Sequence, residues 1–412
     1  MSSSNNSKYD LICVGGGAAG FFTALQRAEH SHSPTRILIL EKSNGVLGKV
    51  KVSGGGRCNV THACFDPQEM VTFYPRGNKE LLGPFHQFLC GDMMGWLDDH
   101  GVPTHIEEDG RIFPTSNNSQ TIIDCFQEQV RLHGIKVKTG EGLQTLKQDD
   151  TGWIIKTNKG TYRSKNVMMA TGSSPKIWGY LETLGLPIIP PVPSLFTFNI
   201  QHALIDGLPG LSVPNATVRI VDTAYEESGP LLITHWGLSG PAVLKLSSRA
   251  ARELHGNGYN FKISVSWIEE EGDQVKRELA RLRKTSGGSL VVKNALFGLP
   301  KRLWERICHR AGIGPEKYGD LNTKKLEALE TLMTDCVFTV NGKSTFKEEF
   351  VTAGGVDTKA INFKTMEAKN FPGLYFAGEV LNIDALTGGF NFQAAWTESY
   401  IAAKGMTNDS RS

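Results

Sequence analysis

The 412-residue sequence predicts an α/β protein built on one nucleotide-binding domain that an insertion splits in two. Three observations carry this. "DLICVGGGAAGFFTAL" (10–25) is an apolar run that ends in glycines and opens a helical pattern. "RILILEK" (36–42) adds a second buried strand, completing a strand–helix–strand unit. A second glycine-bearing strand-to-helix turn, "GLYFAGEVLNIDALTGGFNFQAAW" (373–396), lies near the other end of the chain.

Between these ends the texture changes twice. "GIKVKTG" (134–140), "WIIKT" (153–157), "TYRSKNVMMATG" (161–172) and "PGLYFAGE" (372–379) read as strands of the first domain. The proline-dense "PIIPPVPSLFTF" (187–198) marks the exit from it. "LFTFNI", "NATVRIVD", "GPLLITHW" and "YNFKISVSWI" then read as a β-rich insert. A helical block follows. "QVKRELARLRK" aligns Val275, Leu279 and Leu282, "PKRLWERICHR" opens on Pro300 in the first turn, and "NTKKLEALETLMTD" carries Leu326, Leu329, Leu332 and Met333 at helical spacing. "CVFTVNGK" (336–343) returns to strand and "VTAGGVDT" (351–358) leads back. The expected plan is a discontinuous domain (1–190 and 350–412), a β insert (191–270 and 336–349) and a small helical domain (271–335).

Composition sets limits. Forty per cent hydrophobic and 21% charged residues describe an ordinary globular chain, and no apolar run of about 18 residues predicts a membrane span. "MSSSNNSKYD" is polar and does not read as a signal peptide. The seven cysteines form no C-x-x-C pair, so neither a zinc site nor a disulfide framework is expected, and a reducing cytoplasmic setting fits. The histidines show no metal-ligand spacing. Net charge is +2, yet residues 274–325 hold thirteen Lys and Arg against four acids, a local +9 that leaves −7 for the rest. Such a block is usually a solvated face; its excess also suits an anionic macromolecule such as RNA.

The first glycine turn is G-x-G-x-x-G, with Gly15, Gly16, Gly17, Ala18, Ala19 and Gly20 between strand and helix. One glycine makes the turn, one admits a pyrophosphate to the backbone, and one lets helix and strand pack closely. The helix N-terminus adds free N–H groups for the phosphates. Glu41, with Lys42 beside it, ends the next strand, where a carboxylate can accept from ribose hydroxyls. Val137, in the following strand, is a further candidate contact. A dinucleotide is therefore expected, and the distant turn selects FAD over NAD(P). FAD is long, and its flavin end needs its own holders. Gly378 and Glu379 of "AGE" suit the ribityl region, and a helix starting near Asn391 can face the flavin's pyrimidine edge and favour the negative charge of the reduced ring. Ala170, Thr171 and Gly172 form a third strand end of this kind. Both distant turns thus hold one elongated cofactor. No second G-x-G-x-x-G follows a strand in 190–350, so either NAD(P)H docks transiently over the flavin or the substrate itself reduces it.

"VGGGAAG", "SGGGRCNVTH" (53–62), "GRIFPTS" (110–116), "THWGLSGPA" (234–242), "VTAGGV" (351–356) and the 373–396 segment, in this order, resemble the BaiN/RdsA (YhiN-type) family of FAD-dependent oxidoreductases. The resemblance spans nearly the whole chain. It implies a Rossmann-like, glutathione-reductase-like FAD domain interrupted by a β-barrel insert and a smaller helical domain. It also implies reduction of carbon–carbon double bonds, in uridine of ribosomal RNA or in unsaturated steroid acids; other relatives are described as amine oxidases. One departure is visible: "ATGSSPKIWGYLETLG" is shorter than the family's glycine-rich run and lacks its second glycine.

With the resemblance, Gly54, Gly55, Gly56 and Asn59 become candidate cofactor contacts, Arg57 a phosphate partner, and Cys58 either a packed thiol or a redox group. Cys64, six residues on, has the wrong spacing for a disulfide enzyme. His235 is the candidate proton donor or a loop cap; Arg111 anchors a turn or an anionic substrate. Asp384, Gly388, Gly389, Phe390 and Asn391 are candidates for the ribityl chain and flavin edge. The expected activity is hydride passage from NAD(P)H through flavin to an activated C=C bond, possible on ribosomal RNA gripped by 274–325. The alternatives are a small-molecule oxidase or reductase and a non-catalytic flavin-bearing RNA-binding factor.

Overall fold

A computed structural model describes residues 8–344 and 351–408; the polar start Met1–Ser7 lies outside them. The chain divides into two compact units, Met1–Pro191 with Thr352–Ser412, and Val192–Val351.

Unit one is layered about a mixed sheet. Its parallel core runs in the order Leu374–Phe376, Thr161–Met169, β1 (Lys8–Val14), β2 (Ile37–Leu40) and Lys136–Lys138. Strands covered on both faces read as unbroken apolar runs rather than alternating ones. Leu11 to Val14 and Ile37 to Leu40 are accordingly all buried. A hairpin, Leu143–Asp149 and Gly152–Thr157, joins Thr161–Met169 antiparallel. Between β1 and β2 the chain crosses through helix α1 (Ala18–Glu29). The C-terminal helix Phe390–Asn408 packs on α1: Ser399 Oγ donates to the Ala19 carbonyl at 3.0 Å, and the Trp396 ring lies 5.3 Å from that of Phe22.

Unit two holds seven strands in the order Cys336–Asn341, Asn260–Ser266, Ser212–Ile220, Glu226–Ile233, Gly237–Ser239, Thr197–Asn199 and Lys343–Ser344. The two ends of this series are halves of one chain segment, separated only by Gly342, whose φ is +99°. One stretch therefore pairs with Asn260–Ser266 on one side and Thr197–Asn199 on the other, and the sheet closes into a barrel. Closure removes the unpaired edges that an open sheet would expose. Helices Gly272–Thr285, Lys301–Arg310 and Thr323–Thr334 bury Val275, Leu279, Leu303, Trp304, Ile307, Leu329 and Met333 in the same core as the barrel strands. The sequence suggested two pieces here, barrel and helices; their apolar faces meet in one core and form one unit. Pro300 stands just outside its helix, as the residue before Lys301. Among the described residues no helix is long and apolar enough to cross a membrane, and no group of His, Cys, Asp and Glu is placed to hold a metal.

Candidate cofactor site

The site begins with register. Val14 pairs with Met169, Met169 with Phe376, and Val14 with Leu40, so four strand ends stand abreast at one edge of the parallel sheet. From them the chain runs into Gly15, Ala170, Ala377 and Glu41. Crevices beyond the carboxyl ends of parallel strands are where open α/β sheets take their ligands.

The glycines are demanded by this crowding. Gly15 has φ +117°, and a Cβ there would collide with the Ala170 carbonyl oxygen. A Cβ at Gly20 would strike the Gly15 carbonyl, because α1 leaves the turn so close to it. At Gly16 a Cβ would come within 2.8 Å of Glu41 Cβ. Gly17 differs: its backbone is extended (φ −92°), and a Cβ there meets nothing within 4 Å. Open space stands in front of the first turn of α1, where backbone N–H groups lack helical partners. Glu41 Oε2 accepts from the Gly16 N–H at 2.8 Å, and its other oxygen from Ser43. Lys42 is exposed, and Val137 lies on the edge strand, 36% exposed and in register with Ile39.

At the third strand end, Gly172 is left-handed (φ +61°), and the buried Thr171 hydroxyl has no hydrogen-bond partner among the described residues. Gly378 (φ +80°) sits between helices: a Cβ there would reach 3.4 Å from Ala19 Cβ. Glu379 pairs with Lys49 and accepts from Ser173 Oγ at 3.3 Å.

A second group of motifs meets beside the C-terminal helix. Ser53 is extended, and Gly54, Gly55 and Gly56 all have positive φ (57°, 69° and 85°), breaking the helix that starts at Gly48 and turning the chain back. A Cβ on Gly389 would lie 2.6 Å from the Thr61 carbonyl and 2.9 Å from Asn59 Oδ1, an oxygen with no partner among the described residues. Gly389, at the entry to the last helix, therefore lies against the backbone of Thr61, just after the SGGGRCN loop, and against the Asn59 side chain that ends that loop. Orphaned polar atoms, left-handed glycines and an open helix N-terminus along one sheet edge fit an elongated dinucleotide such as FAD.

Several expected contacts have other partners. Arg57 donates to Glu107 at 2.5 Å, with its guanidinium carbon 3.9 Å from the Phe113 ring centre. Arg111 bonds Glu107 and Asp109. The carboxylate of Asp384, placed by sequence reasoning at the ribityl chain, is fully buried against Arg76. The Asn391 amide closes on Ala385, accepting from its N–H and donating to its carbonyl. Cys58 is buried in a left-handed conformation, and burial pushes its thiol up to about 12, so it stays protonated. His235 lies in unit two, exposed in the turn after Glu226–Ile233.

Sequence reasoning passed over five residues. His62 Nδ1 donates to the Gly388 carbonyl at 3.2 Å, its ring is 4.5 Å from Phe390, and burial holds its imidazolium below the usual histidine range. Phe73 stacks on Phe390 at 4.2 Å, and Tyr74 Oη donates to the Phe390 carbonyl at 2.6 Å. Arg76 holds Asp384. Glu398, fully buried in the last helix, accepts from the Gly378 N–H at 2.5 Å. Only His62 left a trace, as the end of "SGGGRCNVTH"; a buried glutamate inside a helix has no local signature.

Two outcomes follow from this geometry. Gly17→Val suits an extended backbone but fills the open space, so the variant should fold, melt with flavin-free wild-type protein and below the flavin-loaded form, and purify without flavin absorbance. Burial raises the Glu398 pKa to about 8 from an ordinary 4.5. The folded chain then holds an extra proton between those values, so stability falls as pH rises through that window, by up to about 1.4 kcal/mol per unit. Glu398→Gln should flatten this slope in denaturant titrations run from pH 5 to 8.5; an identical slope would refute the assignment.

Residues 9–405 match the family described as HI0933-like protein Rossmann domain. The chain is 29% identical over 410 residues to the ribosomal RNA dihydrouridine synthase of Escherichia coli (strain K12), covering 97% of this chain and 98% of that protein. It is 25% identical over 405 residues to the 3-dehydro-bile acid delta(4,6)-reductase of Clostridium scindens, covering 95% and 97%. Among solved structures, the 3-ketosteroid delta1-dehydrogenase from Sterolibacterium denitrificans shares the fold, with a TM-score of 0.52 at 10% identity over 98% of this chain and 100% of that one. Motif geometry, fold and family agree: the chain belongs to the HI0933-like Rossmann-domain family and is an FAD-dependent oxidoreductase.

Proposed function

We propose that this enzyme saturates an activated carbon–carbon double bond, with the uracil ring of ribosomal RNA as substrate and NAD(P)H as electron donor. The carrying observation is the 29% identity, over nearly the full length of both chains, to a protein named ribosomal RNA dihydrouridine synthase. The +9 segment 274–325 supports a polyanionic partner. FAD held along this sheet edge would supply the hydride relay between the donor and one carbon of the double bond. The neighbouring carbon takes a proton, leaving NAD(P)⁺ and a saturated ring.

The chain's own residues then have distinct tasks. The first turn of α1 and Gly17 receive the pyrophosphate, and Glu41 the ribose. Gly378 and Glu379 line the ribityl path. The N-terminus of Phe390–Asn408, free to donate, favours negative charge at the pyrimidine edge of the flavin. His235, exposed in its turn, is the proposed proton donor. A second reading, reduction of a small unsaturated acid, draws on the bile acid reductase relative.

Ribosomal RNA from a strain lacking this gene should show, by mass spectrometry, the loss of a dihydrouridine; an unchanged modification map would remove RNA as the substrate. His235→Gln should slow turnover by about 10²–10⁴-fold without changing flavin content. Equal turnover would free His235 of that role.

A further inference from the structure

We propose that unit two carries a surface for single-stranded RNA, in which the Trp236 indole stacks on one exposed base while Arg302 and Arg306 hold neighbouring phosphates. This rests on the RNA reading above and specifies where and how the strand is gripped.

Trp236 is 58% exposed, whereas the other six tryptophans are 9% exposed or less. Single exposed apolar side chains are common and mean little alone. This one stands on an over-determined turn. Thr234 N donates to the Gly237 carbonyl at 2.8 Å, and Thr234 Oγ1 accepts from the N–H groups of Trp236 and Gly237, each at 3.2 Å. Ile200 N donates to the Trp236 carbonyl at 2.9 Å. Gly237, at φ +145°, leaves no room for a Cβ beside the Phe198 carbonyl. The backbone is fixed on both sides, yet the indole has neither ring nor hydrogen-bond partner among the described residues. An outward aromatic face on a fixed backbone offers a base a stacking platform without rearranging the chain.

The same turn is tied to the cationic helix. Its neighbouring loop, 200–211, is bonded to the Trp236 strand pair through Gly210 N to the Ile233 carbonyl and Ile233 N to the Leu211 carbonyl, both at 2.9 Å. The crest of that loop is bonded to helix Lys301–Arg310: Arg302 donates to the Gly207 carbonyl at 2.6 Å, and Arg306 to the Ala203 carbonyl at 3.4 Å. The two arginines are i, i+4 neighbours, so their stems lie about 5–6 Å apart. Each is exposed and spends one of five donors on the loop, leaving a held guanidinium whose fork matches a phosphate. The loop 200–211 contains one acid, Asp206, and the helix one, Glu305, against Lys301, Arg302, Arg306 and Arg310. A stacking face beside a fixed cationic ridge is the combination that recognises an unpaired polynucleotide. A steroid acid carries one carboxylate and no row of phosphates, so its binding would lack the steep salt dependence of a polynucleotide.

The test uses full-length, flavin-loaded enzyme and fluorescein-labelled oligouridylate, read by anisotropy over a range of salt concentrations. Trp236→Ala should weaken binding by about 5- to 150-fold with an unchanged salt slope, and Trp236→Phe should retain most of the affinity. Arg302→Gln with Arg306→Gln should lower the slope of log affinity against log salt by about 1.4, two phosphates at ~0.7 each. Equal binding by Trp236→Ala, or an unchanged slope in the arginine pair, overturns the surface. So does wild-type enzyme that ignores oligouridylate but binds an unsaturated steroid acid in a Trp236-dependent way. The substrate reading fails separately: an unchanged ribosomal RNA map alongside Trp236-dependent oligouridylate binding removes the reaction and keeps the surface.

Discussion

The molecule depends on backbone meeting backbone at one edge of a parallel sheet. Gly15 lies against the carbonyl of Ala170, and α1 departs so tightly that Gly20 lies against the carbonyl of Gly15. Nothing larger than hydrogen fits at either place. This closeness brings the strand ends at Val14, Leu40, Met169 and Phe376 abreast. It also leaves the first turn of α1 open beside Gly17, where backbone N–H groups lack helical partners.

The far end of the site is held differently. The loop 382–390 has little regular structure of its own and is braced by the segment Phe73–Gly77. Leu386 N donates to the Phe73 carbonyl at 2.9 Å, Tyr74 reaches the Phe390 carbonyl, and Arg76 meets the buried Asp384. A buried ion pair adds little net stability against an apolar equivalent, but breaking it leaves a charge stranded. Its contribution here is geometric: it fixes the approach to Gly388 and Gly389. Inside the last helix a buried polar chain continues the brace. Thr61 donates to Gln393, Gln393 to Thr397, and Thr397 Oγ1 lies within hydrogen-bonding reach of the Phe88 carbonyl. These bonds lock the helix against the strand that follows the SGGGRCN loop.

Unit two solves a separate problem. A sheet with free edges invites unwanted pairing, and the barrel removes them by bending one segment at Gly342 so that it serves as both first and last strand. The helices then cover its apolar surface and turn their cations outward. Three of those cations are neutralised locally, Lys276 near Asp273 and Glu330, Arg281 by Glu278, and Lys325 by Glu316. Arg277, Arg283, Lys284, Lys293, Lys301 and Lys317 are exposed.

By itself the sequence determined the elements whose demands are local. A glycine needed for a tight turn, an apolar run buried on both faces and a helix with one apolar stripe each declare themselves within a dozen residues. The glycines of both turns, the parallel strands and the basic helices were therefore readable, as was the order of motifs. Side-chain partners were not. Arg57 and Arg111 meet at Glu107, about fifty residues from Arg57, and Asp384 meets Arg76 more than three hundred residues away. Spacing along a chain carries no record of such pairs. Glu398 looks like any helical glutamate until the fold removes water from it. Only tertiary structure decides which polar groups face a ligand and which face each other, because that choice is made by burial, and burial belongs to the packed chain.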